Sequence, residues 1–286
     1  MKIAAVCVLY NPDISQVKSN LDLILEQVGE LWLIDNSDSP SGMMNYYTDF
    51  SEKIHYVWLG ENKGIAFALN VGCKCAQEVG YDWVLTMDQD SQLPPNCIKE
   101  YCRSIETYPS DKIGIVTCLI QLGERDRGPK KHILDQHEVD CCWTSGSLIN
   151  LSAYSQTAGF NNNLFIDGVD IAYCLDIRSL DYRIIRNSHV ILMHQLGKTK
   201  SYDFGSCHLF YITNHNSIRR YYITRNYLWL SEKYGDKYPF CKITIAYFIK
   251  TISQILLFED DRFSKLKAMV RGYKDFKRGI FGKYRI

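Results

Sequence analysis

The chain has 286 residues, 46% hydrophobic and 23% charged, which suits one α/β domain of roughly 200–250 residues plus an appendage. A formal net charge of only +1 gives no sign of a nucleic-acid partner. That charge is unevenly spread: residues 262–286 carry nine Lys or Arg against one acid, a net of +8, which leaves −7 on residues 1–261. A basic tail on an acidic body suits an anionic surface such as lipid headgroups; a solvated helical face that binds nothing fits equally well. The eleven cysteines include no C-x-x-C pair, so neither a zinc site nor a secreted disulfide framework is expected. They read as reduced, mostly buried thiols of a cytoplasmic protein.

Ile3–Leu9 is a continuous β-rich run, the pattern of a strand buried on both faces. It is too short for a secretory signal and meets Asn11-Pro12-Asp13, which starts a helix reaching about Gln27. Leu31–Ile34 and Ile54–Leu59 read as strands, Gly64–Val79 as a helix, and Trp83–Met87 as a fourth strand running into Asp88. A helix over Pro94–Tyr108 and a strand over Ile113–Ile120 follow. The alternation predicts an open, mostly parallel sheet with helices on both faces, whose ligands bind beyond the carboxyl ends of the strands. Asn11, Asp35, Asn62 and Asp88 stand at four such ends.

The second half is less regular. Gly123–Lys131 reads as a mobile loop, Thr144-Ser145-Gly146-Ser147 as a small-residue turn, and Phe165–Leu180 as a helix. Arg183–Met193 is strand-like, Ser217–Tyr234 helical, and Ile243–Phe258 a strongly apolar helical stripe ahead of the basic tail. That stripe is short of the roughly 20 apolar residues of a spanning helix. It fits an interfacial helix on an anionic membrane, and equally a helix packed on the rest of the chain or on a second subunit in a homodimer.

Asp88-Gln89-Asp90-Ser91 is the central chemical feature. Two carboxylates at i and i+2 of an extended chain point the same way, and oxygen ligands suit Mg²⁺ or Mn²⁺, which bridges to phosphates. A lone D-x-D is weak, because loops are rich in Asp; its place after the fourth strand strengthens it.

The order Tyr10-Asn11-Pro12, Ile34-Asp35-Asn36-Ser37, Glu61-Asn62-Lys63-Gly64-Ile65-Ala66 with Ala68-Leu69-Asn70, then Met87-Asp88-Gln89-Asp90-Ser91 resembles the inverting glycosyltransferases of family two. Phe165-Ile166-Asp167-Gly168-Val169-Asp170 and His194-Gln195-Leu196-Gly197 continue the similarity. The fold implied is GT-A, a Rossmann-like α/β architecture, over residues 1–230, with the nucleotide half at about 1–120 and the acceptor half at 121–230. A C-terminal helical segment, 231–286, follows. Within that family the chain is most similar to bacterial rhamnosyltransferases of cell-surface polysaccharide assembly.

The resemblance implies a nucleotide diphosphate sugar donor, such as dTDP-rhamnose, a Mn²⁺ or Mg²⁺ cofactor, and a glycan or lipid-linked acceptor. It implies that Tyr10, Asn11, Asp35, Asn62, Lys63 and Gly64 line the nucleotide pocket. Asp88 would hold ribose or metal, Asp90 would be the direct metal ligand, His194 would reach the metal or diphosphate, and Asp170 matches the catalytic base. Asp167, three residues earlier at an expected helix start, shares a face with Asp170 and is the alternative base; two ordinary helix caps are the plain reading of the pair. Trp143, Ser145, Gly146 and Arg225 are weaker candidates for acceptor or phosphate contact, against a core Trp, a turn and a helix salt bridge. Where the rhamnosyltransferases usually carry Glu and Arg after the base, this chain has Ala172 and Asp176. A peripheral place on the inner face of the membrane would suit a lipid-linked acceptor. The competing functions are a sugar-phosphate nucleotidyltransferase, which the absence of a Gly-rich basic loop after the first strand disfavours, and a non-catalytic glycan- or nucleotide-binding descendant.

Overall fold

Every residue of β1 (Ile3–Leu9) is buried, because the strand lies between β2 (Leu31–Asp35) and β4 (Trp83–Asp88) and is covered on both faces. The computed structural model describes residues 1–46, 52–122, 135–194, 200–204 and 207–285; the loop expected over Gly123–Lys131 lies outside them. One compact unit comprises Met1–Asn162 and Val169–Gln195, a second Asn163–Gly168 and Leu196–Ile286.

The first unit is built on a nine-stranded sheet. β3 (Ile54–Trp58), β2, β1 and β4 run parallel. β8 (Ser147–Asn150) then enters antiparallel beside β4, followed by β6 (Ile113–Leu122) and β9 (Arg183–His194), parallel to each other. β5 (Ser91–Gln92) and β7 (Gln136–Glu138) pair antiparallel with β9. The mixed sheet keeps the parallel run expected of the first four strands, and the antiparallel β8 brings residues 143–147 to the carboxyl end of β4.

Alternation along β1 sorts the helices. Ile3, Ala5, Cys7 and Leu9 share a core with Val17, Leu21 and Ile24 of α1 (Ile14–Leu25) and with Cys97, Ile98 and Tyr101 of α3 (Cys97–Thr107). Val6 points to the other face, where α2 (Ile65–Glu78) lies so close that a Cβ on Gly72 would sit 2.4 Å from the valine. Helices therefore cover both faces, as period-2 burial requires. Asp13 caps α1 by accepting from Ser15 and Gln16 N–H. After the short α4 (Leu151–Tyr154), helix α5 (Val169–Ser179) ends three residues before β9 begins. Its N-terminus therefore faces the carboxyl end of the sheet.

The second unit holds the hairpin β10 (Lys200–Phe204)–β11 (Cys207–Ile212) and helices α6 (Ser217–Tyr234), α7 (Ile245–Phe258) and α8 (Arg262–Lys277). The boundary expected at residue 230 falls inside α6, and α6 packs along α8: a Cβ on Gly272 would lie 2.6 Å from the Tyr221 carbonyl. α6 thus belongs with the C-terminal helices. The apolar stripe expected over Ile243–Phe258 begins at Ile245, with Thr244 as its cap, and only Thr251 and Ile255 of it are buried. Ile245, Ile249, Leu257 and the following Phe263 are 80, 61, 66 and 90% exposed. The stretch Pro239–Phe258 is long and apolar enough to cross a membrane by composition, but the α7 helix, with 14 residues, measures about 21 Å against a hydrocarbon core of about 30 Å.

Candidate active site

At the end of β2 the chain must turn, and Asp35 makes the turn. Its carboxylate accepts from the N–H of Ser37 at 3.0 Å, the N–H of Ser41 at 2.8 Å and the hydroxyl of Tyr56 at 2.5 Å. Burial alone would raise this carboxyl, but hydrogen bonds from Ser37, Ser41 and Tyr56 together hold it below its usual value. Asp35 is fully buried, so in this conformation it has no surface to offer a nucleobase; it shapes the turn that follows β2. That turn is clamped to the next strand end: Asn36 donates to Asn62 Oδ1 at 3.1 Å and accepts from Lys63 N–H at 2.7 Å. Asn62 also takes the N–H of Gly64 at 3.0 Å. Gly64, at φ 89°, opens α2 without a side-chain cap, a conformation glycine adopts without steric cost. The exposed Lys63 ammonium lies 5.2 Å from the Phe67 ring. The positive end of the α2 dipole therefore stands beside a lysine at the strand ends, a setting for phosphate.

The end of β1 joins this region through Asn11, whose N–H donates to Ser37 Oγ at 2.7 Å. Gln89 supplies a second tie that sequence reading passed over as the spacer in the D-x-D. Its amide accepts from Tyr10 N–H at 2.8 Å and donates to Tyr10 carbonyl at 3.2 Å, like one rung of a sheet. Asn20 of α1 holds the Gln89 carbonyl at 3.0 Å. Nothing in the sequence marks such an amide, because its partners lie 79 residues away. Tyr10 itself is 46% exposed, leaving its ring free to meet a planar base.

Asp88 ends β4, Gln89 and Asp90 turn, and Ser91 re-enters the sheet opposite His194. The expectation that Asp88 and Asp90 share a face by extended alternation is therefore corrected. The chain leaves the sheet between them, at the Gln89-Asp90 turn. Both remain half-buried, and both charges act, after burial itself, to push the enclosed Cys7 thiol up. Strand register places His194 opposite the residue after Asp90; its side chain lies outside the described residues. Among the described residues no three His, Cys, Asp or Glu side chains cluster as a metal site. Two carboxylates at a strand end still fit a hard divalent ion, which takes its remaining oxygens from substrate phosphates and water.

Ser145 and Gly146 serve this turn. Ser145 is buried; its hydroxyl accepts from Asp88 N–H at 3.1 Å and lies 2.9 Å from Ser91 Oγ. Gly146, at φ 75°, gives its N–H to Thr86 carbonyl at 2.9 Å, and a Cβ there would meet Cys118 Sγ at 2.9 Å. Both were weaker candidates for acceptor or phosphate contact, with a plain turn as the alternative; buried, with Ser145 bonded to Asp88 N–H, they support the D-x-D from behind. Trp143, in the same loop, is 42% exposed.

Asp170 sits in the first turn of α5 and is half-buried, its Oδ1 accepting the Ile171 N–H at 2.9 Å. The helix dipole favours its ionised form. Its field reaches Cys142, whose thiol is lowered chiefly by a hydrogen bond with Cys174 and is opposed in part by Asp170. The α5 N-terminus is thus beside the 142–147 loop that backs Asp88, pinned by Cys142 N–H to Cys174 Sγ at 3.5 Å. Asn70 of α2 braces the approach to this helix, holding Phe160 carbonyl at 2.7 Å and Asn162 Oδ1 at 2.9 Å. The departure Ala172 is buried in α5, where a glutamate would need a partner.

Asp167 departs from expectation. α5 begins at Val169, and Asp167 precedes it at φ 62°, so the shared-face argument does not apply. It belongs to the second unit, where Arg219 grips it through Nε at 3.1 and 3.3 Å and Nη2 at 3.1 Å. Burial raises its carboxyl even against the Arg219 charge. Arg225 is also corrected. It has no exposed surface and spends its guanidinium on the carbonyls of Gly282 at 2.9 Å, Leu164 at 3.1 Å and Asn163 at 3.2 Å, between the rings of Tyr221, Tyr222 and Phe281. It contacts no acceptor; it ties the chain's end to α6.

The description "Glycosyl transferase family 2" matches residues 6–166. A dTDP-rhamnosyl transferase, RfbF of Shigella flexneri, is 25% identical over 98% of this chain and 97% of its own. Among solved structures, S. aureus TarS 1–349 with UDP-GlcNAc shares the fold at TM-score 0.63 and 14% identity, over 98% of this chain and 82% of that one. The mannosyltransferase PcManGT of Pyrobaculum calidifontis with GDP-Man and Mn²⁺ does so at 0.58 and 14%, over 96% and 87%. GalNAc-T7 with UDP, GalNAc and Mn²⁺ gives 0.64 and 14% over 98% of this chain, which spans only 56% of that protein. The GT-A fold and the family match together replace the nucleotidyltransferase alternative. The chain belongs to glycosyltransferase family 2 and is an enzyme that transfers sugar from a nucleotide-sugar donor.

Proposed function

We propose that this enzyme is a metal-dependent, inverting rhamnosyltransferase that uses dTDP-L-rhamnose and passes the sugar to a glycan or lipid-linked acceptor. The donor assignment rests on the likeness to a dTDP-rhamnosyl transferase over nearly the whole of both chains. The mechanistic assignment rests on one arrangement: the Asp88-Gln89-Asp90 turn and the N-terminus of α5, with Asp170 in its first turn, both packed against the 142–147 loop.

In this reading Tyr10, Asn11, Asn62 and Lys63 bind the nucleotide on the surface that Asp35 and Gln89 hold in shape. Asp88 and Asp90, with His194, would hold Mn²⁺ or Mg²⁺, which would supply positive charge at the departing diphosphate. Asp170 takes the proton of the acceptor hydroxyl as its oxygen bonds to the anomeric carbon. The bond from that carbon to the diphosphate oxygen breaks in the same step, and the electron pair leaves with dTDP. One displacement inverts the anomeric centre. Trp143 offers an exposed ring for the acceptor sugar.

The exposed stripe Ile245, Ile249, Ile252 and Leu256, beside the net charge of +8 on residues 262–286, supports peripheral binding to an anionic membrane. The direct test of the donor is a thermal-shift comparison of dTDP, UDP, GDP and CDP, with and without Mn²⁺. A metal-dependent shift strongest with dTDP is expected; one strongest with UDP or GDP changes the donor, and a shift indifferent to metal removes the metal assignment.

A further inference from the structure

The second unit contains a cavity of about 180 Å³ lined by Thr213, Arg220, Tyr247, Lys250, Thr251, Gln254 and Glu259. This holds several waters and gives room for a mono- or diphosphate group. Its lining carries two cations, Arg220 and Lys250, against one carboxylate, Glu259. Arg220 and Lys265 are both buried and both bind one carboxylate, Glu259, the lysine at 3.0 Å. Lys250, also in the lining, adds a third positive charge. The neighbouring Asp167 is taken up by Arg219, and Asp260 is held by the Asn214 amide at 2.7 Å. Burial and the charges of Arg219, Arg220 and Lys265 drop His215 to about 4, so this histidine is neutral at pH 7 and leaves the excess in place.

Arg220 also has a donor to spare. Its side chain is 9% exposed, and among the described residues its buried Nε finds no hydrogen-bond partner. Native proteins rarely leave a buried charged N–H unused. A guanidinium edge beside a lysine ammonium and a glutamine amide is a donor set for phosphate oxygens. Thr251 spends its proton on Tyr247 carbonyl at 2.9 Å, which leaves its oxygen as an acceptor for a protonated phosphate.

We propose that this cavity is an anion site that takes a terminal phosphate or diphosphate group, separate from the donor's diphosphate. Two sources carry that chemistry: a phosphorylated lipid, which the exposed apolar residues of α7 on the same helix as Lys250 would accompany, and a soluble phosphate. The site stands on its own residues whether or not the donor is dTDP-rhamnose.

The test uses the intact chain in EDTA, so that no divalent metal recruits phosphate to the D-x-D. Inorganic phosphate and pyrophosphate are titrated calorimetrically into wild type, Arg220→Lys, Lys250→Gln and Lys267→Gln. Lys267 is exposed on α8 and outside the cavity lining, so its variant removes the same charge elsewhere. Lys250→Gln and Arg220→Lys should weaken binding by about tenfold, and Lys267→Gln by less than about twofold. Equal losses in Lys250→Gln and Lys267→Gln, or no binding to wild type at millimolar phosphate, would overturn the site. Arg220→Lys disturbs a buried pair; Lys250→Gln carries the conclusion if that variant fails to fold. Flotation with phosphatidylcholine vesicles carrying phosphatidic acid or charge-matched phosphatidylserine separates the sources. A preference for phosphatidic acid that Lys250→Gln abolishes assigns the site to a lipid headgroup, and soluble binding without that preference assigns it to free phosphate. An unchanged nucleotide shift in Lys250→Gln shows that the donor site is intact.

Discussion

The two units of this protein use charged side chains in opposite ways. In the first, Asp88, Asp90 and Asp170 stay half-buried at strand and helix ends; Ser145 accepts the Asp88 N–H, and Gln89 clips the turn between Asp88 and Asp90 to Tyr10. In the second, Arg225 and Asp167 are consumed by the fold, one by three carbonyls and one by Arg219. A polar residue with spare surface and a rigid support is prepared for a ligand, whereas one whose bonds are all internal holds the chain together. Motif matching cannot see that difference.

Variants can break this contrast. Asp170→Asn should lower transfer by on the order of 10²–10⁴-fold with donor binding retained, measured by product formation and thermal shift. Wild-type turnover in that variant would move the base elsewhere. Arg225→Met should cost about 3 kcal/mol of stability, read by denaturant unfolding, because the Gly282 carbonyl loses its guanidinium donor and the Leu164 and Asn163 carbonyls each lose one of theirs. A normally stable Arg225→Met with a raised acceptor KM would restore the acceptor role discarded above. Gln89→Ala should cost about 1 kcal/mol and weaken nucleotide binding although Gln89 is placed behind the pocket; unchanged nucleotide affinity would show that the β1–β4 tie does not shape it.

The smallest effects lie in pH dependence, and their signs differ between the units. Asp35 is lowered in the folded state, so its contribution is present above the ordinary carboxylate range and is lost as pH falls through its folded value. Asp167 is raised, so its contribution is present below that range and is lost as pH rises through its folded value. Asp35→Asn should therefore flatten the acid loss of stability, and Asp167→Asn should steepen it. Melting temperatures across the acid range check both, and slopes of the same sign would contradict the assigned environments.

Much of the first unit was legible because it is local. β1 is an unbroken apolar run and is buried throughout, and the polar residues do stand at the strand ends; in the second unit, α6 matches its expected span of Ser217–Tyr234. β8 was hidden, since four residues, Ser-Leu-Ile-Asn, carry little period. The placing of α6 was hidden too, because its partner α8 lies some 50 residues further along the chain.

By itself, then, the sequence determined the strand–helix alternation, the apolar α7 and the order of motifs that mark the family, because these depend on residue type and short spacing. Only the tertiary structure decided which of those motif residues keep free surface. It showed Asp35 closed within its turn, Ser145 behind Asp88, Gln89 clipped to Tyr10 and Asp167 bound by Arg219. The physical reason is the same in each case: a polar group's role is set by which donors and acceptors reach it, and here those partners come from segments distant in the chain or from backbone turned by the fold.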